Sequence, residues 1–178
     1  MGKVHIVLFR GVGGATQLPT RPLATALTDA GFTNVRTYIA SGNVVLASDM
    51  PVRQMRAKVA EIAAKEFGFT KHIMTATRSE WSRLIAANPF PQGSGKELHG
   101  FLLEATPGAE QVAALEAKST AHEQVAYRDG FLYFHAPGGF GVSKLPPQID
   151  RILGVATTAR NWNTVLRLAE IAGEVAQA

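Results

Sequence analysis

The chain has 178 residues, no cysteine and a formal charge of +4 at neutral pH. The missing cysteine excludes disulfide staples, thiolate catalysis and cysteine-type zinc sites. Apolar residues make up 46% and charged residues 18%, which suits a packed core and argues against wholesale disorder.

The positive charge is not gathered into a run of Lys or Arg, so it reads first as a solvated surface with a mild basic bias. Met1-Gly2-Lys3-Val4-His5 leads straight into an apolar segment, and no signal peptide is expected. Gly2 invites a myristoylation reading, but position 6 is Ile6 and that motif fails. Gly, Ser, Asn or Pro breaks every long uncharged stretch, so a cytoplasmic protein with no membrane partner is expected.

Segment 4–9 is β-branched and apolar and reads as a buried strand, ended by Gly11, Gly13 and Gly14. Pro19 and Pro22 open a helix to about Ala30, with Leu23 and Leu27 inward and Gly31 as its left-handed terminator. Val35 to Leu46 reads as a hairpin turning at Ser41-Gly42-Asn43. Asp49 and Pro51 start a second helix whose stripe is Val52, Met55, Val59 and Ile62, closed by Gly68. Phe69 to Ala76 reads as a fourth strand, and Thr77-Arg78-Ser79-Glu80 as a capping box before a short helix carrying Trp81, Leu84 and Ile85.

Residues 89–97 form the clearest linker, after which the pattern recurs. Leu98 to Leu103 reads as a strand, and Thr106-Pro107 opens a helix through Val112 and Leu115. Gln124 to Phe134 reads as a hairpin with Asp129-Gly130 at its tip. Ser143 to Leu153 reads as a helix that Pro146-Pro147 start late, Val155 to Ala159 as a strand, and Trp162 onward as an amphipathic helix.

Both halves thus read β-α-β-β-α-β, over about 3–77 and 98–159, with an extra helix after each. The expected fold is α+β: a duplicated ferredoxin-like arrangement with antiparallel sheets. The expected divisions are 1–88, a linker at 89–97, and 98–178, packed together. In this topology the end of the first strand and the tip of the central hairpin share a sheet edge. That places the loop from Gly11 to Gly14 beside Ser41-Gly42-Asn43; the start of the second helix and the end of the fourth strand share the opposite edge, which places Ser143-Lys144 beside Arg160-Asn161. The element order does not fix whether the two clusters meet.

Three segments carry a family resemblance: Leu8-Phe9-Arg10-Gly11 with Gly13-Gly14; Ala30 through Val44, including Arg36-Thr37-Tyr38 and Ser41-Gly42-Asn43; and Ser143-Lys144-Leu145 with Thr158 through Thr164. Together they resemble the bacterial uncharacterised family known as domain of unknown function 1697. The resemblance implies a duplicated ferredoxin-like fold and brings no established activity. The family's first loop usually reads Arg-Gly-Ile-Asn-Val-Gly-Gly before Lys or Arg. Here Arg10-Gly11-Val12-Gly13-Gly14-Ala15-Thr16 is about two residues shorter and lacks the Asn and the Lys.

The glycine loop has two readings. It is a tight turn needing positive φ, or it presents backbone N–H groups to an anion with Arg10 adding charge. The dinucleotide fingerprint fails at Thr16 and the phosphate-loop pattern is absent, so no cofactor is expected. Arg160-Asn161-Trp162-Asn163-Thr164, read as the start of the last helix, suits an anion, with Lys144 and Ser143 close by, or ordinary capping by Asn161 or Asn163. Arg36 and Tyr38 share one face of a strand. They suit stacking on a ring, or a half-buried Tyr with an internal partner, and the second is favoured.

The five histidines are scattered with no pair at metal-ligand spacing, and no nucleophile elbow is present, so no catalytic signature is found. The leading functional reading is binding of a small anionic or phosphate-bearing ligand at the loop edges. A nucleic-acid-binding module, suggested by a pI near 9.6, and a protein-interaction or structural role are the alternatives.

Overall fold

A strand as apolar as Val4 to Phe9 must be covered on both sides, and it takes an inner place in its sheet. In the computed structural model, which describes residues 2–13 and 16–178, β1 (Lys3–Phe9) runs between β3 (Asn43–Ser48) and β4 (Ile73–Thr77). β2 (Thr33–Tyr38) completes the order β2-β3-β1-β4, antiparallel throughout. The second sheet repeats this order as β6-β7-β5-β8, built from β5 (Leu98–Leu103), β6 (Gln124–Arg128), β7 (Phe131–His135) and β8 (Thr157–Asn161). The fold is therefore α+β, with two βαββαβ halves of the same strand order.

The chain divides into two compact units. One runs through Trp81 and takes in Arg167–Ala178; the other is Ser82–Leu166. In the first unit, Val7, Phe9, Val44 and Leu46 form one sheet face. They pack on Leu23 and Leu27 of α1 (Thr20–Asp29) and on Met55, Val59 and Ala63 of α2 (Val52–Phe67). In the second unit, Phe101, Leu132 and Phe134 pack with Leu115 of α4 (Ala109–Glu116) and Ile149 and Leu153 of α5 (Ile149–Leu153). Each fully buried Leu or Phe side chain contributes roughly 1.5–3 kcal/mol.

Local signals account for many boundaries. Thr77 and Glu80 form a reciprocal capping box at the start of α3 (Arg78–Ala86). The Glu80 carboxylate accepts the Thr77 N–H at 2.7 Å, and Thr77 Oγ1 accepts the Glu80 N–H at 3.2 Å. The Asp129-Gly130 tip has φ of 51° and 86°, the left-handed pair that a two-residue hairpin requires.

Other boundaries differ from the sequence reading. Ser143 to Leu153 is not one helix: 3-10 turns at Phe140–Val142 and Pro146–Gln148 precede a short α5. Two prolines without N–H groups cannot sustain the α-helical ladder there. β4 begins at Ile73 and not at Phe69, and α4 begins after Gly108, outside Thr106-Pro107. Val52 is exposed, and the buried residues of α2 are Met55, Val59 and Ala63. β8 ends at Asn161, so Arg160 and Asn161 belong to a strand, and α6 (Trp162–Gln177) follows them. Asn43 is the first residue of β3 and not part of the turn.

Candidate functional site

Strand pairing in the first unit gathers residues from three distant segments at one sheet edge. β1 and β4 end their register at Phe9↔Ile73, and the Arg10 N–H donates to the His72 carbonyl at 2.9 Å. Lys71 therefore reaches the glycine loop: its Nζ donates to the Gly11 carbonyl at 2.6 Å and lies 5.8 Å from the Phe69 ring centroid. Gly11 has φ +66°, a conformation that glycine adopts without a Cβ clash. Thr16 closes the turn on itself, its N–H and hydroxyl both donating to the Gly13 carbonyl at 3.0 Å. Gly14 lies outside the described residues.

The hairpin tip abuts the loop. The Phe9 N–H donates to the Gly42 carbonyl at 2.9 Å, and a Cβ on Gly42 would stand 2.6 Å from Phe9 Cβ and 3.2 Å from Val12 Cγ2. Only glycine fits that approach, and its φ of +76° demands it as well. Asn43, 1% exposed, donates from Nδ2 to the Tyr38 carbonyl at 3.0 Å and to Ser41 Oγ at 2.9 Å. The sequence reading placed Arg10, Gly11, Gly13, Ser41, Gly42 and Asn43 together, and the fold brings them to one edge. Within it, Asn43 holds the hairpin.

Arg36 and Tyr38 sit opposite Val45 and Asn43, on the sheet face opposite the one packed on α1 and α2. Thr37 turns to the other face and donates its hydroxyl to the Thr20 carbonyl at 3.0 Å. The alternation stops at Ile39, which leaves the strand with φ +48°.

In the second unit, Asn161 Oδ1 accepts the Thr164 N–H at 3.0 Å, so Asn161 caps α6. The Trp162 N–H donates to the Gly95 carbonyl at 3.1 Å, and a Cβ on Gly95 would collide with the Asn163 carboxamide. Arg160 Nη1 donates to Thr158 Oγ1 at 3.0 Å and to the Ala159 carbonyl at 2.7 Å, and burial pulls its pKa down to about 10. Ser143 Oγ donates to the Glu123 carboxylate at 2.9 Å and accepts the Leu145 N–H at 3.1 Å. Lys144 is exposed. The His99 ring stacks on Phe140 with centroids 3.9 Å apart, and His99 pairs with Asn161 in the β5–β8 register. Burial lowers the His99 pKa to about 4, and its Nδ1 has no hydrogen-bond partner.

Sequence reasoning missed Lys71 and His72. The signal was present, because an antiparallel β1–β4 pairing obliges the start of β4 to lie beside the end of β1. A groove of about 640 Å³ also runs along α1 and α2, lined by Arg21, Asp29, Ile62, Lys65 and Glu66 among others. Its charges balance, two basic against two acidic, and no sequence-predicted site residue lines it. Among the described residues, no group of three His, Asp or Glu side chains is placed to hold a metal ion, and no helix is long and apolar enough to cross a membrane.

The family model described as "Protein of unknown function (DUF1697)" matches residues 2–133. The chain belongs to the DUF1697 family. The DUF1697 match covers the glycine loop, the hairpin tip and Lys71, and ends before Ser143 and the Arg160-Asn161 stretch. A solved structure described as a conserved bacterial protein, SP0830 from Streptococcus pneumoniae, is similar to this DUF1697 chain with a TM-score of 0.74 at 16% identity. The similarity covers 96% of this chain and 98% of that one, and at this identity it speaks for the fold alone. No curated protein matches the chain. The function of this DUF1697 member is unknown.

Proposed function

We propose that the glycine-loop edge of the first unit binds a small anion of the phosphate class. The observation that carries the proposal is the seating of Lys71, whose ammonium is held at the Gly11 carbonyl with Arg10 in the same loop. Two cations on a loop whose glycines let a ligand approach the backbone favour a compact, multiply charged acceptor. Ser41, on the adjoining tip, adds a hydroxyl. The second-unit set of Ser143, Lys144, Arg160, Asn161, Asn163 and Thr164 supports the reading less, because Asn161 caps a helix and Arg160 is bonded to Thr158 and Ala159. A cytoplasmic setting is part of the same proposal, supported by the cysteine-free composition.

Thermal unfolding with inorganic phosphate and with nucleotides tests this. At tenfold excess over Kd, a ligand bound only by the native state stabilises it by about 1.4 kcal/mol, a rise of about 3–5 °C. Arg10→Ala is expected to abolish the rise. No rise in the wild type, or an equal rise in Arg10→Ala, contradicts the proposal. If the partner is instead single-stranded nucleic acid, binding will weaken steeply with added salt.

A further inference from the structure

We infer that the groove between α1 and α2 binds a short peptide with free ends, its carboxylate at Arg21 and Lys65 and its ammonium at Asp29. This site is independent of the glycine-loop edge, whose Arg10, Gly11 and Lys71 do not line the groove.

The fold sets the two helices side by side in opposite directions. α1 leads from β1 back to β2, and α2 leads from β3 back to β4. β1 and β3 are antiparallel, so the two helices are as well. Lys58 fixes their relative height, because its Nζ donates to the Ala30 carbonyl, just past the end of α1, at 2.6 Å. From there Lys65 and Glu66 stand about 10–12 Å further along α2. Arg21 stands about 13 Å from Ala30 in the same direction along α1. Arg21, Lys65 and Glu66 therefore share one end of the groove, and Asp29 stands at the other.

The lining leaves its charges unmatched. Arg21, Asp29, Lys65 and Glu66 are exposed, and among the described residues none of these side chains is hydrogen-bonded or ion-paired. Other surface charges of this unit do pair: Arg167 Nη1 lies 2.8 Å from Glu170 Oε2. Two cations and one carboxylate leave a net positive charge at one end, facing the Asp29 carboxylate at the other. Lys58 does not line the groove; it is committed to the Ala30 carbonyl and to the Phe32 ring, 5.4 Å from the centroid. Between the ends lie Ala26 and Ile62, both half-buried, and the Thr25 hydroxyl. The cavity of about 640 Å³ has the size of a small-molecule site.

These features select the ligand. An anion alone leaves Asp29 unmatched, and a cation alone meets Arg21 and Lys65. A zwitterion satisfies both ends. Arg21 and Asp29 are about 12 Å apart along α1, and three extended residues span about 10 Å, a gap the long Arg21 side chain closes. Peptide amides suit Thr25, and small apolar side chains suit Ala26 and Ile62.

The test is isothermal titration of the full-length protein with trialanine, its N-acetyl form and its C-terminal amide. Wild type is expected to bind trialanine, and each blocked form about three- to fivefold more weakly, the loss of one exposed charge pair. Arg21→Gln is expected to weaken trialanine binding by the same factor and to become indifferent to amidation. Asp29→Asn is expected to become indifferent to acetylation. Both positions are exposed, so each variant is expected to melt within about 2 °C of wild type. No binding of trialanine by wild type, or equal binding of the blocked forms, overturns the inference. So does a dimer in light scattering that Arg21→Gln dissolves, which would give the groove to a second copy of the chain.

Discussion

Lys71 and Gly11 are 60 positions apart in sequence, yet the Lys71 ammonium donates to the Gly11 carbonyl at 2.6 Å. The contact exists because β1 and β4 are neighbours, and it sets a cation on the glycine loop. Lys71→Met keeps most of the aliphatic stem beside Phe69 and removes the charge. The contact is solvent-exposed, so the change is expected to cost less than about 1 kcal/mol in chemical denaturation. It is expected to remove most of the stabilisation given by phosphate, which thermal unfolding with and without the anion reads directly.

Asn43 predicts a larger structural effect. Its amide joins the Tyr38 carbonyl to the Ser41 hydroxyl inside a buried hairpin start. Asn43→Ala leaves both acceptors without that donor and is expected to cost about 2–3 kcal/mol. Urea unfolding should show a lower midpoint at an unchanged slope.

Gly42 tolerates no side chain. Alanine there would place its Cβ 2.6 Å from Phe9 Cβ while forcing a left-handed backbone of φ +76°. Gly42→Ala is expected to cost at least about 3 kcal/mol, through overpacking and strain together. Gly11→Ala, with φ +66° and no atom within 4 Å of the added Cβ, carries only the backbone strain, about 1–2 kcal/mol. Comparing the two by denaturation separates the close approach from the dihedral angle.

Acid should destabilise the protein through its buried imidazoles. Burial lowers the His99 pKa from 6.5 to about 4, so between these values the unfolded chain binds a proton that the folded one refuses. Stability is then full above about pH 6.5 and falls as pH drops toward 4, by at most about 3 kcal/mol from this residue. His5 acts in the same direction. It is 2% exposed, and burial lowers its pKa. His99→Gln should flatten the pH dependence of the unfolding free energy between pH 6.5 and 4.

What could be read from the residues was local. Asp129-Gly130 declares its turn because two adjacent residues tolerate left-handed φ, and Thr77 with Glu80 declares its cap because both partners lie within one turn. The order of strands and helices, repeated twice, was legible for the same reason. Register was not. Arg160 and Asn161 look like helix-start residues, but they pair with Gly100 and His99 of β5, and that partner decides the end of β8. Ile39 looks like one more strand residue because its side chain continues the apolar alternation, while its conformation is imposed by bonds to Tyr38 and Ala40. Lys71 is anonymous in sequence and acquires meaning only through the β1–β4 pairing.

Heteronuclear NMR titration of the full-length protein with inorganic phosphate addresses the anion site most directly. If Arg10 and Lys71 hold the anion at the glycine loop, saturable shifts will concentrate at the amides of Gly11, Gly13 and His72 and will vanish in Arg10→Ala. Shifts that never saturate, or that centre on other parts of the chain, would contradict the account.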